Sequence, residues 1–318
     1  DRRAPRQAPF TPLILHRCDT GQVLAFTQKK REYFLIGMIK MNFLKRLESS
    51  INSFEISIDR TIRKIEKLET KINDFIKSKM KSQEESLEGV EPNEDELEEN
   101  ADDLDQWQVG KKLRYDLADL DLEKWKHHLK EDKEALITLY NNARAVTPDR
   151  DAKLAELKAL IVAKTKNPFN ENNKKIVVFT AFADTAQYLY ESLQAWIKSE
   201  LKLHCALVCG SYTQTTYGKN DYDSILVNFS PVSKNRAKMM GVSQSEDIDI
   251  LIATDCISEG QNLQDCDYLI NYDIHWNPVR IIQRFGRIDR LGSKNKYIQL
   301  VNFWPTKDLD NYINLKER

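Results

Sequence analysis

Three side chains near the end of this chain have types and spacing suited to gripping an anion. In the segment NPVRIIQRFGRIDR, from Asn277 to Arg290, a helix turning about 100° per residue brings Gln283, Arg287 and Arg290 onto one stripe. Ile281, Phe285 and Ile288 fall almost opposite. One face would dock while the other presents two guanidiniums and an amide. Gly286 has no side chain and permits close approach of something bulky. Residues 274–296 hold six Lys/Arg against one Asp. Two co-facing arginines repel unless an anion lies between them. A triphosphate suits them, because guanidinium offers planar bidentate donors and stabilises charge that develops during phosphoryl transfer. The plain alternative is an amphipathic surface helix with solvated arginines.

Such a helix needs a scaffold, and the second half of the chain supplies one. Short apolar runs recur at Ile176–Phe179, Ala206–Val208, Ile248–Ile252, Tyr268–Ile270 and Ile298–Phe303. Helical patterns lie between several of them. Asp184, with Gln187 three residues on, reads as a capping box, and Asn277 followed by Pro278 as a helix start. Strand–helix alternation predicts an α/β fold, a parallel sheet with helices on both faces. In such sheets ligands gather beyond the carboxyl ends of the strands. Those ends carry Thr180 after the first run and Gly210-Ser211-Tyr212-Thr213 after the second. Thr254, Ser258, Gly260 and Asn262 follow the third, and His275-Trp276 the fourth. Hydroxyls and backbone N–H groups there suit phosphate oxygens.

The first half reads differently. Residues 1–39 are basic and Pro-rich at the start, and suit an extended lead-in. From Lys40 to Ser82 an apolar seam runs through Ile51, Phe54, Ile58, Ile62, Ile65, Leu68, Ile72 and Phe75. It predicts one helix of about 40 residues, about 60 Å long. Its eleven Lys/Arg make either the solvated face of a helical hairpin or a DNA-tracking surface. Residues 84–105 hold twelve Asp/Glu and no Lys/Arg, so 83–106 reads as a disordered acidic loop. A second helical block, about Arg114 to Asn142, would pack back on the first. The division expected is 1–39 lead-in, 40–148 helical insertion and 149–318 α/β lobe.

Composition removes several classes. With 48 Lys+Arg against 49 Asp+Glu the net charge is −1 over 318 residues, so nucleic acid must be met by a local patch. No apolar run is long enough to span a bilayer, and Asp1–Pro12 lacks the apolar core of a secretory signal. Five Cys without a C-x-x-C give neither a disulfide framework nor a zinc knuckle, which suits a cytoplasmic protein. Cys205 and Cys209 read as buried small residues. His127 and His128 lie on a charged helix without a partner at metal spacing.

The stretch ILIATDCISEGQNLQDCDYLINYDIHWNPVRIIQRFGRIDRLGS resembles motifs V and VI of superfamily-two helicases. More narrowly it resembles the Swi/Snf-type translocase ATPases, where W-N-P leads into a Q-x-x-x-R-x-x-R helix. KIVVFTAFADTAQYLYESL resembles motif IV. KRLESS resembles the segment that opens the second lobe in bacterial members related to the RNA-polymerase-recycling translocase. The resemblance implies a C-terminal RecA-like lobe carrying a helical protrusion. Arg287 and Arg290 would reach the γ-phosphate of ATP, held with Mg²⁺ mainly by an absent first lobe. Gln283 would orient them, and Gly260 and Asn262 would lie near the nucleotide. Thr254 and Ser258, with Thr180 and Ser211, would meet the backbone of double-stranded DNA. Trp276 would be a packing anchor. Motif V departs from many eukaryotic members, reading Ser258-Glu259-Gly260-Gln261-Asn262 where they have Gly-Gly-x-Gly-x-Asn.

The sequence has no G-x-x-x-x-G-K-[ST] and no D-E-x-H after a strand, so a P-loop must come from elsewhere. The expectation is one lobe of a longer ATPase that hydrolyses nothing alone. RNA polymerase or another protein would dock on the helical insertion. Two alternatives stand beside it: a non-catalytic interaction module on a RecA-like scaffold, and a strand-separating helicase or RNA-polymerase remodeller.

Overall fold

The structure is a computed structural model that describes residues 13–17, 23–77, 86–89, 113–116, 121–210, 212–239, 244–257, 260–275, 277–290 and 292–305. The chain forms two compact units, Asp1–Lys45 and Arg46–Arg318. In the first, strand β1 (Leu13–Arg17) pairs antiparallel with β2 (Val23–Thr27), Leu13 opposite Thr27. Helix α1 (Gln28–Ser49) begins in the first unit and ends in the second.

The single long helix expected after Lys40 is two helices. Helix α1 stops at Ser49, and α2 covers Ile51–Lys77. Ser50 makes the break: its hydroxyl accepts the Ser53 N–H at 3.0 Å, in the manner of an N-cap. The apolar seam of α2 buries Ile58, Ile62 and Ile72. Helix α3 (Leu122–Arg144), capped by Asp121, runs back along it. Lys126 donates to Asn73 at 2.7 Å and Lys133 pairs with Glu69, so numbering rises on one helix as it falls on the other. Ser86–Gly89 (β3), inside the stretch expected as acidic loop, pairs antiparallel with Leu113–Asp116 (β4). The rest of 83–106 lies outside the described residues, as do Ser211, Ser258 and Trp276.

Helix α4 (Ala152–Lys166) leads into a six-stranded sheet. Its strands are β5 (Ile176–Phe179), β6 (Cys205–Cys209), β7 (Tyr212–Thr215), β8 (Ile250–Ala253), β9 (Tyr268–Asn271) and β10 (Gln299–Asn302). They lie in the order β10-β9-β5-β8-β6-β7. All neighbours are parallel except β6 and β7. Tyr212–Thr213, expected in a strand-end loop, instead open this antiparallel edge strand. Gly210, at φ +56°, supplies a left-handed turn just before it.

Successive strand residues feed opposite cores. Ile176, Val178, Leu207, Ile250 and Ile252 meet α4 and helix α5 (Ala183–Trp196). Val177, Phe179, Val208, Leu251 and Ala253 share the other core with helix α6 (Tyr222–Phe229) and with Ile288 of helix α7 (Pro278–Ile288). Burial on both faces explains the unbroken apolar runs. The α/β fold with helices on both faces is the one expected. The capping box at Asp184 is not formed: Phe182 is the N-cap of α5, and Gln187 reaches Glu191. The Asp184 carboxylate is engaged by Arg46 at 2.7 Å and by Arg60 at 3.3 Å.

Candidate functional site

Helix α7 starts as its sequence dictates. Asn277 Oδ1 accepts the Val279 N–H at 3.0 Å and Pro278 takes the first helical position. One turn back, His275 Nδ1 accepts the Asn277 N–H at 3.0 Å. Burial lowers the His275 pKa, and Asp255 opposes while Arg284 reinforces that shift, so the neutral ring that can accept the Asn277 N–H is favoured.

The residue that fixes this helix to the strand tips is Arg284. Its side chain is fully buried. Nε and Nη2 donate to the two Asp255 oxygens at 2.6 and 2.8 Å, and Nη1 donates to Asn271 Oδ1 at 2.9 Å. The guanidinium lies 5.2 Å from the Phe179 ring centroid. Three strand ends, β5, β8 and β9, thus converge on one side chain. Arg284 lies outside the expected anion stripe, yet its position carries a signal of its own. On a helical wheel it sits within about 100° of Ile281, Phe285 and Ile288, so it belongs to the docking face and requires a buried acceptor.

The expected anion stripe is only partly helical. Gln283 and Arg287 are half-buried, one turn apart on α7. Arg290 follows the helix end, with Asp289 as the C-cap; it is exposed, and its Nε donates to the Gly286 carbonyl at 3.3 Å. The Gln283 Oε1 is buried with no hydrogen-bond partner among the described residues. The loop after β8 adjoins this corner, because the Leu263 N–H donates to the Arg287 carbonyl at 3.0 Å. In that loop Gly260 adopts φ +74° and Asn262 Oδ1 accepts the Gln264 N–H at 3.1 Å. Lys234 joins the corner unanticipated: its ammonium donates to Gln261 Oε1 at 2.6 Å. Burial lowers the Lys234 pKa, Asp223 opposes that, and the charge of Arg290 lowers it further. The corner is therefore cationic, as an anion site requires.

The predicted backbone contacts separate. Thr254 is half-buried at the tip of β8, its hydroxyl donating to Cys256 Sγ at 3.3 Å. Thr180 is fully buried, which corrects its assignment as a phosphate contact. Its hydroxyl donates to Asp273 Oδ2, which also accepts from Ser49 Oγ at 2.6 Å, while the Ala181 N–H reaches Oδ1 at 2.8 Å. Ser49 and Ser50 both bond Thr185, at 2.8 and 2.9 Å. This buried network ties the α1–α2 junction to the tips of β5 and β9. Beside it, burial pushes the Glu48 carboxyl up to about 7 against the pull of Lys153, and Asp273 adds to the rise.

Cys205 and Cys209 are buried, as expected. His127 and His128 do have a carboxylate neighbour, Glu131, at 3.5 and 3.2 Å. Among the described residues no cluster of His, Cys, Asp or Glu could hold a metal, and no helix is long and apolar enough to cross a membrane.

Sequence comparison adds a likeness to this geometry. Residues 152–292 match the family model described as the helicase conserved C-terminal domain. This part of the chain is similar to that domain. A 47-residue stretch is 57% identical to an uncharacterized ATP-dependent helicase, YqhH, of Bacillus subtilis, covering 15% of this chain and 8% of that protein. A 74-residue stretch is 34% identical to the RNA polymerase-associated protein RapA of Pectobacterium atrosepticum, covering 23% of this chain and 8% of that one. Both matches thus span less than a tenth of the relative. Among solved structures, the C-terminal part of the Fun30 ATPase domain aligns at 20% identity and a TM-score of 0.36, covering 60% of this chain and 57% of that chain.

Proposed function

We propose that the chain is the second lobe of an ATP-dependent DNA translocase, and that its α7 corner completes a nucleotide site opened and closed by a first lobe. The observation that carries this reading is the Arg284 clamp. It holds α7 rigidly on three strand tips and leaves Arg287 and Arg290 beside a loop of small and polar residues, in a corner that gathers positive charge. A triphosphate fits the donors present: guanidiniums at Arg287 and Arg290, and the side-chain amide nitrogen of Gln283. Magnesium would be held by the other lobe. ATP supplies the phosphoryl group whose loss drives the cycle. The chain's own part is to bring guanidinium charge to oxygens that become more negative as that group transfers. Arg290, exposed past the helix end, can swing toward such an anion; Arg287, half-buried, is the more preorganised of the two. Gly260 and Asn262 shape the adjoining loop. Thr254, with Ser211 and Ser258, is the part of the reading that meets the phosphate backbone of duplex DNA. The likeness to an RNA polymerase-associated protein supports RNA polymerase as a protein partner.

The test is steady-state ATP hydrolysis by the full-length protein with Arg287→Ala and Arg290→Ala. Each should lower turnover by about a thousandfold or more while duplex DNA affinity stays within a factor of about two. Loss of both properties together would overturn the assigned roles. The 318-residue chain alone should release no phosphate above background.

A further inference from the structure

The α2–α3 hairpin carries a feature that the nucleotide corner does not use. A groove of about 600 Å³ runs along α2, lined by Glu55, Ile56, Asp59, Arg60, Arg63, Lys64 and Lys67, with Tyr140 from α3. Four cations face two carboxylates, a local excess of two positive charges in a chain whose net charge is −1. The row from Arg60 to Lys67 spans about 10 Å of helix, on the side of α2 opposite the buried Ile58 and Ile62. Lys71 extends the row by one further turn and is exposed. Two of the cations are held in place: Arg60 by Asp184 at 3.3 Å and Arg63 by Asp59 at 2.8 Å. Lys67 is exposed and has no ion-pair partner among the described residues.

We infer that this groove is a second contact for the phosphate backbone of duplex nucleic acid. The inference rests on the translocase reading and adds a surface to it. The lining residues are charged apart from Ile56 and Tyr140, which suits phosphates better than a protein partner, whose interfaces have apolar cores depleted of charge. Over about 10 Å of axis a duplex presents about six phosphates, enough to meet Arg63, Lys64 and Lys67 together. The Tyr140 hydroxyl offers a further neutral donor. Arg60 belongs to the groove's helix and pairs with Asp184 at the start of α5, so a backbone held here is connected to the α/β core through that ion pair.

Fluorescence anisotropy of a labelled duplex with the 318-residue chain, across a salt series, tests this. The Arg63→Glu/Lys67→Glu variant should bind about tenfold more weakly and lose about two from the slope of log affinity against log salt. A control pair on α3, Lys124→Glu/Lys130→Glu, should leave both unchanged, with circular dichroism melts confirming that each variant is folded. Unchanged duplex affinity in the groove variant, or an equal loss in the control, would overturn the inference. So would a wild-type groove that captures an Asp/Glu-rich peptide while duplex affinity is indifferent to the groove variant. Normal duplex affinity in R63E/K67E alongside lost turnover in R290A would sink the groove alone. The opposite pattern would uphold the groove and sink the nucleotide reading.

Discussion

The interior of the strand tips and their outer rim use the same residue types for opposite ends. Inside, Arg284 spends its donors on Asp255 and Asn271, and Asp273 collects Ser49, Thr180 and the Ala181 N–H. On the rim, Arg290 is exposed, and its charge adds to burial in disfavouring the ammonium form of Lys234. A guanidinium sealed with its carboxylate is structural. A guanidinium left among other cations is the one we propose to meet an anion that comes from outside.

The comparison breaks most easily at Arg284. Arg284→Ala leaves Asp255 and Asn271 without their buried partner and should cost about 3–5 kcal/mol of stability, read as a large fall in the urea midpoint of the chain. Arg284→Lys should not rescue it, since one ammonium cannot span two acceptors as the planar fork does. A melt within about 1 kcal/mol of wild type would contradict the clamp.

Glu48 sharpens the interior side. Its raised pKa means that folding takes up a proton. That contribution is complete below about pH 4.5 and is lost as pH rises through about 7. Glu48→Gln removes the loss. Thermal melts at pH 5 and pH 8 should show the wild type falling more than the variant, by up to about 3 kcal/mol. Parallel curves would show that the carboxyl is not held out of water.

Thr180→Val keeps the shape and removes the hydroxyl from Asp273. The expected cost is about 1–3 kcal/mol, with duplex affinity unchanged. Weaker DNA binding in a fully folded variant would restore the backbone contact that its burial argues against. The smallest effect belongs to the rim: Arg290→Ala should alter stability by less than about 0.5 kcal/mol.

Legibility in the sequence followed distance along the chain. The parallel sheet announced itself through apolar runs of three to six residues, and the start of α7 through Asn277-Pro278, because each signal is local. What the sequence hid depends on partners far away. Thr180 meets Asp273 93 residues on and lies within reach of Ser49 131 residues back. Asp184 is taken from its cap by Arg46, 138 residues earlier. Arg284 needs Asp255, 29 residues before it. The break at Ser50 has another reason for being hidden: Leu44 and Leu47 before it stand in phase with Ile51 and Phe54 after it, so periodicity alone gives no stop. The roles of Gln283, Arg287 and Arg290 came from type and spacing together with a family likeness, and the structure adds the clamp that would hold them.

The most direct trial of that role is chemical rescue. In the full-length protein with Arg290→Ala, guanidinium at millimolar concentration should restore part of the lost ATP turnover, and the Glu48→Gln control should not respond. Full turnover by Arg290→Ala with no guanidinium present would contradict the account.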